Sequence, residues 1–191
     1  MLQNIGSVNN KGIDILLDAT VIKKGDFSWT TTLNYSSFKN KVISLGEGVD
    51  MIYADTYGDG LMKQPVNVIK VGEPLGSFYL LQWQGVFQTD AEAAVYGCKA
   101  GDNKYLDVSG DKAFGYDDRK LSGSALPKFQ WGLNNNFQYK NFEINIFIQG
   151  VYGNKILNAT YAAAAQPSSD VRYITLAEAG NYWTAQNTGS I

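Results

Sequence analysis

Phe129-Gln130-Trp131-Gly132-Leu133-Asn134-Asn135-Asn136-Phe137-Gln138-Tyr139-Lys140-Asn141-Phe142-Glu143-Ile144-Asn145-Ile146-Phe147-Ile148-Gln149 changes from apolar to polar at almost every step. In an extended chain Phe129, Trp131, Leu133, Phe137 and Tyr139 share one side, and Gln130, Gly132, Asn134, Asn136 and Gln138 the other, with Asn135 an intruder. Past Lys140-Asn141, Phe142, Ile144, Ile146 and Ile148 oppose Glu143, Asn145 and Gln149, with Phe147 the exception. Period two is the signature of a pleated strand with two different faces, and a two-residue link is the length of a hairpin turn. The stretch therefore predicts an antiparallel pair with one greasy and one wet face.

The same pattern recurs upstream. Ile13, Ile15, Leu17, Ala19 and Val21 oppose Asp14, Asp18 and Thr20, broken by Leu16. Phe27, Trp29, Thr31, Leu33 and Tyr35 oppose Ser28, Thr30, Thr32, Asn34 and Ser36. Weaker alternation predicts two further strands at Val66 to Val71 and Ser77 to Phe87, which makes about six in all. Ile22 to Asp26, Gly72 to Gly76 and Lys140-Asn141 read as short turns. Lys39 to Gln64 and Gln88 to Leu126 read as long loops, with a tail from Gly153.

Short turns alternating with long loops are unusual in a compact soluble domain and regular in outer-membrane barrels. Aromatic residues flank both strand ends. Phe129 to Tyr139 is roughly 33 Å of strand, or roughly 23 Å across a membrane at a tilt near 45°, close to the apolar band of such barrels. The fold class expected is all-β, with antiparallel strands forming part of a transmembrane outer-membrane barrel and long external loops carrying short helices. A secreted, soluble calcium-binding β-sandwich that binds carbohydrate, its apolar faces meeting in a core, satisfies the alternation equally.

Composition supports a two-faced wall. Hydrophobic residues make up 45% and charged residues 18%, aromatics are abundant, and 20 glycines accompany only 4 prolines. The net charge of −2, without a basic stripe, argues against nucleic acid as a partner. The chain has no histidine, so the commonest general base and transition-metal ligand is absent. Cys98 is the only cysteine and can make no internal disulfide. No apolar run approaches the roughly 20 residues of a membrane-spanning helix.

Several stretches, in order along the chain, resemble the SusC/RagA family of TonB-linked outer-membrane transporters. They are Asn10-Lys11-Gly12-Ile13-Asp14, Phe27-Ser28-Trp29, Asn34-Tyr35-Ser36, Lys39-Asn40-Lys41-Val42, Val71-Gly72-Glu73-Pro74-Leu75-Gly76-Ser77-Phe78-Tyr79 and Gly85-Val86-Phe87-Gln88-Thr89. Gly101 to Asp107, Asp118-Arg119, Pro127-Lys128-Phe129, Tyr139-Lys140-Asn141-Phe142, Gln149-Gly150 and Tyr182-Trp183-Thr184 with Asn187 complete the set. The resemblance is to the C-terminal part of the barrel, so residues 1–191 are expected to be a partial barrel domain without the plug and the closing strands. It implies import of glycans or peptides, with outer-membrane lipid around the wall. It also implies a SusD-type surface lipoprotein as partner, and TonB reached through a segment outside this chain. On this reading the chain is not an enzyme, and Asn134, Asn136, Gln138, Glu143 and Asn145 are candidates to face the lumen.

Asp107-Val108-Ser109-Gly110-Asp111-Lys112-Ala113-Phe114-Gly115-Tyr116-Asp117-Asp118 carries oxygen side chains at the first, third, fifth and twelfth positions of a calcium loop. Asp107, Ser109, Asp111, Asp118 and the Ala113 carbonyl are the candidate ligands, and calcium the one candidate cofactor. The family often carries D-x-N-G-D-G here. This chain departs from it, with Lys112 at the turn glycine and Asp118 in place of a bidentate Glu. The competing reading is a loop closed by its own Asx turns. Asp117-Asp118 offers no second carboxylate spaced for glycoside cleavage. Trp83, Tyr79 and Phe78 are candidates to stack on a sugar ring. Ala162 to Ala165 and Ile174 to Ala179 read as short helices, and Asn158-Ala159-Thr160 as a chance sequon.

Overall fold

A computed structural model describes residues 6–54, 65–161 and 183–188. Its elements are β1 (Ser7–Lys24), β2 (Phe27–Ser44), β3 (Met51–Tyr53), β4 (Asn67–Lys70), β5 (Ser77–Leu80), β6 (Trp83–Val86), α1 (Asp90–Ala93), β7 (Asn103–Tyr105), β8 (Lys120–Ser124), β9 (Phe129–Tyr139) and β10 (Phe142–Tyr152). The all-β, antiparallel reading holds, with ten strands among the described residues where about six were expected. The helices expected at residues 162–165 and 174–179 lie outside the described residues. The chain forms two compact units, the first made of residues 1–53, 68–77 and 123–156, the second of residues 54–67, 78–122 and 157–191.

The first unit is built on the sheet β1-β2-β9-β10. Its register shows how the alternation works. Directly opposed residues point to the same face, so Leu17, Leu33, Leu133 and Ile148 make one apolar row across four strands. The row of Ile15, Tyr35, Trp131 and Gly150 lies on that face toward one end, and the row of Lys24, Phe27, Tyr139 and Phe142 toward the other. The opposite face carries Thr20, Thr30, Asn136 and Asn145 in one row and Asp18, Thr32, Asn134 and Phe147 in the next.

Both short turns sit at one end of this sheet. The β1–β2 link is only Gly25-Asp26, with Gly25 at a φ of +57°, and the β9–β10 link is Lys140-Asn141, with Lys140 at +51°. Left-handed residues suit two-residue turns because their twist matches that of the strands. The Lys140 amide donates to the Asp26 carbonyl at 3.1 Å and ties the two turns together.

Two expectations change here, and an exception is explained. Lys39 to Ser44 belongs to β2 and not to a loop, because β1 and β2 are each 18 residues long and pair along nearly their whole length. A register shift between Thr20 and Ile22 leaves Val21 without a ladder partner, and Ile22 takes the place opposite Trp29. Asn135, the intruder on the apolar face, accepts the Trp29 indole N–H at 3.1 Å, so its polar oxygen is satisfied by the ring beside it.

Gly72 to Gly76 is not a turn at the short-turn end. It is hydrogen-bonded to β2 near the end of that strand. Val42 donates to the Glu73 carbonyl, and Gly72 donates to the Val42 carbonyl, both at 2.9 Å. Asn40 adds a side-chain oxygen accepting from the Leu75 amide at 2.7 Å, while its amide group donates to Asn10. Residues 45–128 therefore form one long connection between neighbouring strands β2 and β9. The apolar faces are not stacked into a sandwich among the described residues: Ile13 is 64% exposed, Leu17 56% and Ile144 60%.

The Ser77 to Phe87 segment splits into β5 and β6. Gln82 interrupts it, its carbonyl accepting from Leu106 and its amide group reaching Ser122 at 2.7 Å. Gly85, at a φ of +112°, then shifts the register against β7. The second unit has its own core. Phe87 is fully buried and stacks near Tyr96 and Phe114, and the Tyr105 ring meets Phe114 edge-on. Thr89 caps α1 by accepting from the Glu92 amide at 3.2 Å.

Candidate functional site

Asn134, Asn136, Gln138, Glu143 and Asn145 all project from the polar face of the β9–β10 hairpin. The register sets Glu143 opposite Gln138 and Asn145 opposite Asn136. The Asn136 amide group donates to the Glu143 carboxylate at 2.8 Å, and Thr32 donates to Asp18 at 2.6 Å on the same face. The side-chain oxygens of Asn134 and Asn136 are enclosed without a hydrogen-bond partner. Leaving an enclosed acceptor unpaired is costly.

Toward the long-connection end, the same face opens into a groove of about 690 Å³ lined by Leu16, Asn34, Gln130, Gly132, Phe147 and Gln149. Gly132 creates the notch. A Cβ there would lie 2.7 Å from the Asn34 oxygen and 3.2 Å from the Phe147 ring. The two apolar exceptions of the alternation, Leu16 and Phe147, are thus groove walls. Sequence reasoning missed this groove, although the breaks in alternation beside Gly132 were its visible signal.

Loop 107–118 brings Asp107, Asp111 and Asp118 together, with an oxygen of each within 4.8 Å of the others. The chain closes around them through its own amides. Asp107 accepts from Gly110 at 2.6 Å and Lys112 at 3.2 Å, and Asp111 accepts from Ala113 at 2.9 Å. Asp118 is fully buried, accepting from Val108 and Ser109 through one oxygen and from Gly115 through the other. Those amides, Ser109 and Gly115 foremost, hold its carboxyl down at about 2 against the opposing cost of burial. Lys112 stands at a φ of +63°, the left-handed position that favours glycine. The oxygens match the chemistry a hard cation needs, and the loop also closes on Asx turns without one.

Of the candidates to stack on a sugar ring, Phe78 is buried and Trp83 is half-exposed, its indole N–H donating to Asn103 at 3.1 Å. Asp117 and Asp118 diverge, the first exposed and the second buried. Asn158 uses its side-chain oxygen to accept from Tyr161 at 2.9 Å.

No protein-family model matches the chain. Among curated proteins it is 32% identical to a TonB-dependent receptor of Formosa agariphila, over 99% of this chain and 19% of the relative. It is 27% identical to the TonB-dependent receptor SusC of Bacteroides thetaiotaomicron, over 82% of this chain and 15% of the relative. The solved structure of the RagAB peptide transporter superposes with a TM-score of 0.74 over 97% of this chain and 20% of that one, at 17% identity, which bears on fold alone. The chain spans about a fifth of the length of the curated relatives it matches. The chain is thus related along nearly its whole length to TonB-dependent receptors, SusC among them.

Proposed function

We propose that the chain is a stretch of wall and external connection in an outer-membrane transporter that imports oligosaccharides or peptides. On this reading it acts with a SusD-type lipoprotein and draws energy through TonB by way of a segment outside the residues described. The observation that carries the reading is the two-faced sheet. One face is apolar over a height that fits a bilayer and is bordered by aromatic rows, and the other is polar with unpaired acceptors. The polar face lines the lumen, where Asn134, Asn136, Gln138, Glu143 and Asn145 meet water, plug or cargo. The role is binding and passage, with no reaction catalysed.

The test is fractionation of cells expressing the full-length receptor with an affinity tag. The receptor is expected in the outer membrane, extractable only by detergent and co-purifying with a surface lipoprotein. Recovery as a soluble monomer without detergent would contradict the reading.

We propose calcium as the ligand of loop 107–118, a reading supported by the convergence of Asp107, Asp111 and Asp118, with Ser109 and the Ala113 carbonyl as further candidate ligands. Calorimetric titration of the detergent-solubilised receptor is expected to show saturable heat that Asp111→Asn removes. No heat at millimolar calcium would leave the Asx-turn reading in its place.

A further inference from the structure

The apolar face of the β1–β2 pair ends in a cluster of positive charge. Lys11 lies directly opposite Lys39, and Lys41 is the next same-face residue along β2, opposite Asn9. Alternation places all three on the face that carries Ile15, Leu17, Leu33 and Tyr35. All three are exposed. Their same-face neighbours Asn9, Ile13 and Ser37 carry no charge. The one ion pair among the described residues, Lys104 with Glu92, lies elsewhere.

Like charges directly across a ladder are unfavourable, so this pairing calls for a counter-charge from outside the sheet. Lysines are also used to block exposed strand edges, which would account for Lys11 on β1. It does not account for Lys39 and Lys41, because β2 there is paired with β1 on one side and bonded to the Gly72-Glu73 turn on the other. We propose that Lys11 and Lys39 bind the phosphate of an anionic lipid headgroup at the outer border of the apolar face, with Lys41 standing farther out. The proposal rests on the membrane-wall reading above.

Height admits this occupant for the Lys11–Lys39 pair. The Lys11–Lys39 pair is four residues beyond the row of Ile15, Tyr35 and Trp131. That is about 13 Å of strand and about 9 Å of height at a tilt near 45°. The headgroup layer occupies roughly the first 5–7 Å outside the hydrocarbon. Lysine stems can lie back along the apolar surface and hold their ammonium groups at phosphate level. The cluster is at the long-connection end of the sheet, the external side of such barrels.

The test uses the full-length receptor in nanodiscs of mixed phosphatidylglycerol and phosphatidylcholine, with retained lipids counted by native mass spectrometry. The wild type is expected to retain phosphatidylglycerol preferentially. Neutral K11Q/K39Q is expected to lose about fivefold in retention for each lysine removed, while K11R/K39R keeps it and K41Q changes it little. Should the double variant fail to assemble, K39Q alone reads the effect. Equal retention of both lipids by the wild type, or unchanged preference in the neutral variant, overturns the proposal. Displacement by inorganic phosphate in detergent as efficiently as by phosphatidylglycerol assigns a free-anion site and overturns the lipid source. A receptor that never enters the bilayer overturns the wall reading and the lipid site together, and is recognised by its solubility before any lipid is counted.

Discussion

The four long strands and the connection between β2 and β9 solve the same problem, that of satisfying backbone polar groups, in different ways. In the sheet β1-β2-β9-β10 the ladders do it, residue against residue, so the side chains are free to make one apolar and one polar face. In residues 45–128 the described strands are three to five residues long, and side chains do much of the work: Thr89, Asp107 and Asp118 accept from backbone amides that no ladder reaches. The first region depends on what touches its faces. The second depends on individual polar contacts within the chain.

That difference predicts how each region breaks. The largest effect should come from a charge placed in the apolar row. Leu133→Lys, between Leu33 and Ile148, should cost about 2–4 kcal/mol in denaturant unfolding of the full receptor in liposomes. The same charge at Asn134, one step away on the polar face, should cost far less. Equal costs would erase the distinction between the faces.

Gly12→Ala comes next. Its Cβ would stand 2.7 Å from the Ser37 carbonyl oxygen and 2.9 Å from the Phe38 Cβ, so β1 and β2 would have to part. A loss of about 1–3 kcal/mol is expected in the same unfolding assay, and an unchanged midpoint would contradict the close approach.

Trp29→Phe should cost about 1 kcal/mol by stranding the Asn135 oxygen on the apolar face. Adding Asn135→Leu should recover most of that loss. A double-mutant cycle without coupling would show that the bond does not matter.

The smallest global effect belongs to the connection. Asp118→Asn should leave the unfolding midpoint of the sheet nearly unchanged while accelerating amide exchange at Val108, Ser109 and Gly115. Because the folded carboxyl is held at about 2, below its ordinary value of 3.8, its contribution is complete above that ordinary value and fades as pH falls toward 2. Exchange protection of those three amides should follow that window in the wild type and lose its pH dependence in the variant.

The sequence made the ladder region legible because period two survives in it: the wall strands could be read from Phe27 to Tyr35 and from Phe129 to Ile148 without coordinates. It hid whatever depends on a partner far along the chain. Lys39 to Ser44 reads as loop because its polar residues give no alternation, yet β1 pairs with it. Gly72 to Gly76 has the composition of any hairpin turn, and only its bonds to Val42 show which end of the sheet it serves. The loop at 107–118 was visible as an oxygen-rich spacing, but amide donors and a cation compete for the same carboxylates, and spacing does not rank them. The groove around Gly132 was written as two exceptions to a rule, Leu16 and Phe147, which gain meaning once the register sets the strands side by side.

The most direct test asks what touches the two faces of β10. Spin labels at residues 144, 146 and 148, and separately at 143 and 145, in the full receptor reconstituted in liposomes, can be probed with oxygen and with a water-soluble nickel chelate. The first three positions should favour oxygen and the other two the chelate. Labels at 144, 146 and 148 that are open to the chelate, or closed to both probes as in a protein core, would contradict the account.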